Sequence, residues 1–232
     1  MCGRFAQTKE LTELISRFHF DVIAFDLPPS FNIAPTQYAG VVYLQSGKRI
    51  FEPMKWGLIP FWSKDSSMGG RMINARAETV DSKPAFRQAI KRKRCLVLSD
   101  GFYEWDKKKK TSGSSPYFFF LKDRKPFAFA GLWDEWQDQS DSPIHTFTII
   151  TTKANSLVAP LHDRMPVIMK TENEAGWLDP GIFRPQEVKA LLDPVSEDEM
   201  DVYAVTPYVN SPKNNSPRCL KKGGGNVQPD MF

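Results

Sequence analysis

Four side chains in this sequence can do chemistry that their neighbours do not explain: Cys2, Asn74, Glu104 and His162. Cys2 follows Met1, and a small residue at position 2 is the usual condition for enzymatic removal of that methionine. Removal would leave an α-amine and a thiol on one residue. An α-amine titrates at about 7.7–8.0, against about 10.4 for a lysine, so much of it is an unprotonated nucleophile at neutral pH. The thiol is itself nucleophilic, more so as thiolate. A 1,2-aminothiol condenses with an aldehyde to an imine, and its sulfur then closes a thiazolidine ring. It can also attack an acyl group through sulfur, with its own amine as base. The plain alternative is an ordinary cysteine at a loose chain end.

The other three gain their interest from their flanks. Glu104 sits in Gly101-Phe102-Tyr103-Glu104-Trp105, just after an apolar strand. A carboxylate among such aromatics is costly to bury unless paired, and desolvation would make it a usable proton shuttle near neutral pH. His162, in Leu161-His162-Asp163-Arg164-Met165-Pro166, can exchange protons with an imine, and Asp163 or Arg164 can tune it; a hydrogen-bonded structural histidine fits the local sequence equally. His19 and His145 read as structural. Asn74 and Arg76 alternate along an extended segment, which points both to one face. Together they suit an anionic or carbonyl-bearing ligand, unless Arg76 simply pairs with Glu78. Arg4, Arg76 and Arg164 each stand beside a candidate catalytic residue and can hold phosphate. The runs at 91–94 and 107–110 are basic, and such runs are usually solvated. Phe61-Trp62, in a Pro- and Gly-flanked loop, can stack on bases.

These side chains need a rigid frame, and the pattern supplies strands. Residues 3–7 read as a short strand, and Thr8 as the N-cap of a helix whose apolar face is Leu11, Leu14, Ile15 and Phe18. Residues 26–35 read as a loop. Residues 38–44 and 50–56 form a hairpin about Ser46-Gly47. A helix with Pro84 in its first turn is expected over 82–90. Strands follow at 94–98, 117–121, 127–133, 145–151 and 202–205, with helices at 171–178 and 185–191. Strands outnumber helices and most are joined by hairpin-length connections. The expected fold is therefore α+β, a mostly antiparallel sheet curled into a barrel with peripheral helices.

Composition narrows the class. With 232 residues, one domain over 1–212 and a flexible tail over 213–232 are expected. Formal charge is +4, which permits a polyanion partner without demanding one. No run approaches the ~18 apolar residues of a membrane span, and no signal peptide is read at the start. Cys2, Cys95 and Cys219 are too far apart for a disulfide framework or a metal site. A reducing cytoplasm fits best. Neither G-x-G-x-x-G nor a P-loop occurs, so no cofactor is expected.

Six motifs appear in order: Cys2-Gly3-Arg4-Phe5, Asn32-Ile33-Ala34-Pro35, Trp56-Gly57-Leu58-Ile59-Pro60, Asn74-Ala75-Arg76-Ala77-Glu78-Thr79, Asp100-Gly101-Phe102-Tyr103-Glu104-Trp105 and His162-Asp163-Arg164-Met165-Pro166. In these the chain resembles the SOS response-associated peptidase (SRAP) family of abasic-site processing proteins. The resemblance implies recognition of abasic sites in single-stranded DNA and covalent cross-linking to them during the DNA damage (SOS) response. It places the link on Cys2 after Met1 removal, with Asn74, Glu104 and His162 around it. It places DNA contacts at Arg4, Arg76 and Arg164, and stacking contacts at Pro35, Trp62 and Trp105. An AP lyase activity, an autocatalytic peptidase activity, a monomer without membrane or metal, and a cytoplasmic, nucleoid-associated location when bound to DNA complete the expectation.

Three other readings share the Met-Cys-Gly start or the aromatic loop. A glutamine amidotransferase would use the thiol on an amide, but its downstream motifs are missing. A non-covalent reader of modified bases would tolerate Cys2→Ala. A peptidase acting in trans would cleave chains other than its own.

Overall fold

Fourteen short strands run through the computed structural model, which describes residues 2–106, 115–137, 143–182 and 184–223. They are β1 (Phe5–Gln7), β2 (Val22–Ile23), β3 (Ser30–Ile33), β4 (Tyr38–Gln45), β5 (Lys48–Trp56), β6 (Asn74–Arg76), β7 (Arg94–Ser99), β8 (Gly101–Asp106), β9 (Ser115–Leu121), β10 (Phe127–Trp136), β11 (Ile144–Lys153), β12 (Arg164–Pro166), β13 (Ile168–Met169) and β14 (Met200–Ala204). Four helices accompany them: α1 (Leu11–Phe18), α2 (Ala89–Arg92), α3 (Glu174–Leu178) and α4 (Pro185–Lys189). The larger sheet runs β12-β11-β10-β7-β4-β5-β2, and a further parallel pairing of β11 with β5 curls it shut. The smaller sheet runs β14-β9-β8-β1-β3. This is the α+β curled sheet that the strand pattern predicts.

Period-two alternation decides which residue faces which layer. In β7, Leu96 and Leu98 face the helices while Cys95 and Val97 face the smaller sheet. In β10, Ala128 and Ala130 take the first side, Phe127 and Phe129 the second. Phe5, Phe102 and Phe119 of the smaller sheet meet this second core, and Cys2 lies in it. Each fully buried phenylalanine contributes roughly 1.5–3 kcal/mol, so this core holds the N-terminus firmly. The outer face of the smaller sheet, with Tyr103, Phe118 and Phe120, is covered by Val205, Val209 and Cys219. The chain thus stays packed through residues 213–223, where composition placed a tail: Cys219 is fully buried and Lys222 bridges to Val205. Small and apolar side chains embedded in that polar stretch are what dock it. Residues 224–232 and the basic run 107–110 lie outside the described residues.

Local chemistry explains where the observed elements depart from the pattern. Helix α1 begins after Glu10, not Thr8. The Thr8 amide is taken instead by the Asp100 carboxylate, which ties the end of β1 to the turn before β8. Of the helix expected over 82–90 only the end is helical, as α2, and residues 79–87 close a series of turns instead. Residues 26–35, read as a loop, contain β3, which pairs with β1. The Ser46-Gly47 hairpin turn forms with positive φ at both residues, 50° and 77°, as a tight two-residue turn requires.

The junction between the sheets positions Glu104. Strand β7 belongs to the larger sheet and β8 to the smaller, and the chain changes sheet at Asp100-Gly101. The Asp100 amide and the Ser99 hydroxyl both donate to the Ala6 carbonyl. A Cβ on Gly101 would stand 2.3 Å from the Phe118 ring and 2.5 Å from the Phe119 carbonyl, so only glycine allows this approach.

On the larger sheet, His145 joins two carboxylates: Nδ1 is 2.6 Å from Glu52 Oε1 and Nε2 is 3.1 Å from Glu135 Oε2. The Tyr43 hydroxyl donates to the other Glu52 oxygen at 2.8 Å. The bond to Glu52 raises the His145 pKa above its ordinary 6.5, against the opposing effect of burial. Burial pushes Glu52 upward, but bonds from His145 and Tyr43 outweigh it and hold Glu52 below its ordinary 4.5. The His145 contribution is present in full below its unfolded pKa and is lost as pH rises through the raised folded value. The Glu52 contribution is present above its unfolded pKa and is lost as pH falls through the depressed folded value. The melting-temperature gap between wild type and His145→Gln is therefore widest between about pH 4.5 and 6.5 and narrows on either side. A gap that stays constant from acid to alkali would refute the linkage.

Candidate active site

Cys2 lies three residues ahead of β1, and the line of the β1–β8 ladder carries it to Glu104. Phe5 pairs with Phe102, and the Tyr103 amide donates to the Arg4 carbonyl at 2.9 Å. Counting back along this antiparallel ladder brings residues 2–3 alongside Glu104 and Trp105. Cys2 is fully buried, and Glu104 is only 4% exposed. Burial pushes the Cys2 thiol pKa well above its ordinary value, and the nearby Glu104 charge pushes it further. The resting sulfur is thus a thiol, with its Sγ 4.0 Å from the Arg4 carbonyl.

Asn74 reaches the same place from the other sheet. Strand β6 is held parallel to β11, with Asn74 opposite Ile149 and Arg76 opposite Thr151. The Asn74 Nδ2 donates to the Cys2 carbonyl at 2.8 Å. Its Oδ1 is buried and has no protein hydrogen-bond partner among the described residues. An acceptor left open in this way costs stability unless something donates to it. Cys2, Asn74 and Glu104, far apart in sequence, are therefore brought together.

His162 lies on the connection from β11 to β12. Its neighbours Leu161 and Met165 pack in the same core as Cys2. The Nδ1 is 3.0 Å from the Arg164 amide and 2.8 Å from Asp163 Oδ1. The two contacts require opposite protonation of Nδ1. The Arg164 amide is a fixed donor, whereas the Asp163 side chain is 85% exposed and free to swing. A ring that accepts from that amide at Nδ1 has Nε2 left to carry a proton.

The three arginines part company. Arg4 is partly engaged: Nη1 donates to Asn32 Oδ1 at 2.8 Å and to the Val209 carbonyl at 3.0 Å, and the guanidinium lies 5.5 Å from the Trp105 ring centroid. Arg164 is 9% exposed. It grips Glu78 with both Nη atoms and also donates to the Thr151 carbonyl. That grip holds the Glu78 carboxyl below its ordinary range. Arg76 is exposed. Glu78, the partner open to Arg76 on sequence grounds, is hydrogen-bonded by Arg164, and the Arg76 charge adds a smaller pull on it.

The aromatic candidates are held by their backbones. Phe61 donates its amide to Asp134 and Ile59 to Thr146. Phe61 and Trp62 themselves are 61% and 49% exposed. Pro35 is half-buried, in a turn fixed by the Thr36 amide donating to the Trp56 carbonyl at 2.8 Å. The Trp105 Nε1 donates to Asn210 at 2.8 Å. The basic run at 91–94 is half structural: Arg94 donates to the carbonyls of Ile90, Trp177 and Asp179, and Lys93 pairs with Asp134. Sequence reading passed over Asn32 as a support residue. Its amide nitrogen lies within 3.2 Å of the carbonyls of Val209, Ser211 and Asn214 and clamps the C-terminal segment to β3. The Asn32-Ile33-Ala34-Pro35 motif was its one signal. Among the described residues no group of three His, Cys, Asp or Glu side chains is placed to hold a metal. No described helix is long and apolar enough to cross a membrane.

Fold and site define a class: a curled α+β protein that encloses a cysteine at position 2 between a buried carboxylate and an asparagine. Residues 1–212 match the family model described as SOS response associated peptidase (SRAP), and the chain belongs to that family. It is 43% identical to the abasic site processing protein YoqW of Bacillus subtilis (strain 168), covering 95% of this chain and 99% of that one. It is 41% identical to the abasic site processing protein YoaM of the same organism, over 95% and 97%. A crystal structure of a protein from Bacteroides thetaiotaomicron superposes with a TM-score of 0.85 at 28% identity, covering 96% of this chain and all of that one.

Proposed function

We propose that this protein recognises abasic sites in single-stranded DNA and links itself to them covalently through Cys2 once Met1 has been removed. The observation that carries the reading is the enclosure of Cys2 beside Glu104 with its carbonyl tied to Asn74. Family membership and the names of the similar proteins point the same way.

An abasic deoxyribose opens to an aldehyde at C1′. The Cys2 amine adds to that carbon, and the carbinolamine loses water to form an imine. The thiol then adds across the C=N bond: sulfur bonds to C1′, and its proton ends on nitrogen. The product is a thiazolidine, and the overall change is loss of one water. A thiol kept protonated by burial favours this order, with the amine acting first. Glu104 takes and returns protons during amine addition. Asn74 offers its open Oδ1 to the sugar or the amine. His162, with Nε2–H as donor, protonates the ring oxygen as it opens. If the imine persists, loss of the neighbouring proton cuts the strand as an AP lyase does, and ring closure diverts it from that fate. Removal of Met1 is the activating cleavage, performed by the chain on itself or by another enzyme. Pro35, Trp62 and Trp105 stack on flanking bases, and Arg76 holds phosphate. The protein acts as a monomer.

The test is an intact-mass measurement after incubation with a single strand carrying one uracil, before and after uracil removal. The expected product is the protein without Met1, plus the abasic oligonucleotide, less one water. Absence of a heat-stable adduct with the abasic strand refutes the cross-linking reading.

A further inference from the structure

We propose that Asn155 is a positioning residue for His162: it shapes and anchors the turn that carries the imidazole. The inference deepens the function proposed above and rests on it for the reaction that His162 serves. The chain leaves β11 at Lys153 and enters β12 at Arg164. The Ala154 amide donates to the Asp163 carbonyl at 3.1 Å and closes the neck of this excursion. His162 is the last residue inside the neck. One side chain organises what lies within. The Asn155 Oδ1 accepts from the Val158 amide at 3.1 Å, as an N-cap does for the first turn of a helix. The Asn155 carbonyl accepts from the Ala159 amide at 2.9 Å. The Val158 carbonyl then accepts from the Leu161 and His162 amides at 3.0 and 3.1 Å. Hydrogen bonds thus run from the Asn155 side chain to the backbone of His162 through a single residue, Val158.

The other end of the same amide fixes the turn to the rest of the molecule. Nδ2 donates to the Val195 carbonyl at 3.0 Å and lies 3.4 Å from Met200 Sδ, at the start of β14. The Asn155 backbone amide is 3.4 Å from Met165 Sδ in β12. Asn155 is buried, and Val158 is fully buried in the core that holds Cys2. Without the Asn155 oxygen the Val158 amide would be left buried and unpaired, at a cost that drives the turn to rearrange. Such a rearrangement displaces His162, because its amide hangs on the Val158 carbonyl. The Arg164 amide at Nδ1 orients the ring, but it cannot restore the position of the backbone that bears the ring. Proton transfer needs the ring nitrogen within hydrogen-bond reach of its target, and a displacement of about 1 Å can cost about 10²-fold in rate. In the sequence Asn155 is only the start of a short turn. Its two partners, Val158 and Val195, lie 3 and 40 residues away.

The test is the single-turnover rate of adduct formation with an abasic strand, measured beside equilibrium binding to a strand holding a tetrahydrofuran analogue, which has no aldehyde. Asn155→Ala is expected to slow the adduct by up to about 10²-fold and to leave affinity for the analogue at the wild-type value. Asn155→Asp keeps the acceptor for Val158 and loses the donor to Val195. It is expected to give a smaller loss, and it carries the same test if Asn155→Ala does not fold. A folded variant that reacts at the wild-type rate overturns the proposal. A double-mutant cycle separates positioning from general support. If Asn155 acts through His162, its substitution in a His162→Gln background slows the reaction no further. Losses that multiply mark Asn155 as a prop of the whole site and overturn the proposal. Nitrogen-15 spectra of the imidazoles need no reaction: the variant is expected to shift or broaden the His162 ring signals and leave those of His145 in place. Unchanged His162 signals in a folded Asn155→Ala protein overturn the proposal as well. If wild type forms no adduct with a true abasic strand, the cross-linking reading fails, and the ring spectra alone decide whether Asn155 sets His162.

Discussion

Cys2→Ser is expected to abolish the heat-stable adduct and leave at most a labile imine that borohydride traps. The serine retains the α-amine, so addition to the aldehyde and loss of water still proceed. What it lacks is a sulfur able to close the ring, and an imine in water reverts. Retention of Met1 should remove both products, because the nucleophilic amine then lies on a different residue. The two variants thus divide one residue's chemistry between its nitrogen and its sulfur. The readouts are a denaturing gel with and without borohydride and the intact mass of each product. Cys2 is fully enclosed, so circular dichroism must first establish that Cys2→Ser folds. A folded Cys2→Ser protein that gave a wild-type yield of heat-stable adduct would eliminate the thiazolidine.

Glu104→Gln is expected to slow adduct formation by about 10²- to 10⁴-fold, the usual range for loss of a proton-transfer group. The same substitution should make the Cys2 thiol easier to ionise. Burial is the main force raising that thiol, and the Glu104 charge is the second. Glutamine keeps the volume and removes the charge. The pH at which Cys2 reacts with iodoacetamide should therefore fall, while staying above that of a free cysteine because burial persists. A loosened fold would also expose Cys2 and lower its thiol pKa, because burial is the larger cause of the raised value, so circular dichroism and a wild-type melting temperature must first establish that Glu104→Gln folds. Cross-linking at the wild-type rate in Glu104→Gln would remove Glu104 from the proton path. A thiol profile that did not move would argue against the electrostatic contact.

Much of this protein was legible before any coordinates. The 1,2-aminothiol chemistry of Cys2 is a property of residue type and position. The strand that leads into Glu104 announces itself by a continuous apolar run, Cys95-Leu96-Val97-Leu98, because a strand buried on both faces needs apolar residues at every position. The oddity of Glu104 among aromatics is equally local. The sequence could not tell which cations remain available, because an arginine's partner is set by folding. Glu78 lies two residues from Arg76, yet it is Arg164, 86 residues away, that holds it. Arg4 stands beside Cys2 in the chain and spends its Nη1 bonds on Asn32 and Val209. Nor could composition place residues 213–223, whose docking depends on a buried Cys219 and on Asn32 reaching across to the carbonyls of Ser211 and Asn214. The sequence by itself determined the reagent and the elements that bear it. Only the tertiary structure decided which charges face the reagent, because hydrogen bonds and ion pairs are short-range and the chain brings their partners from anywhere along its length.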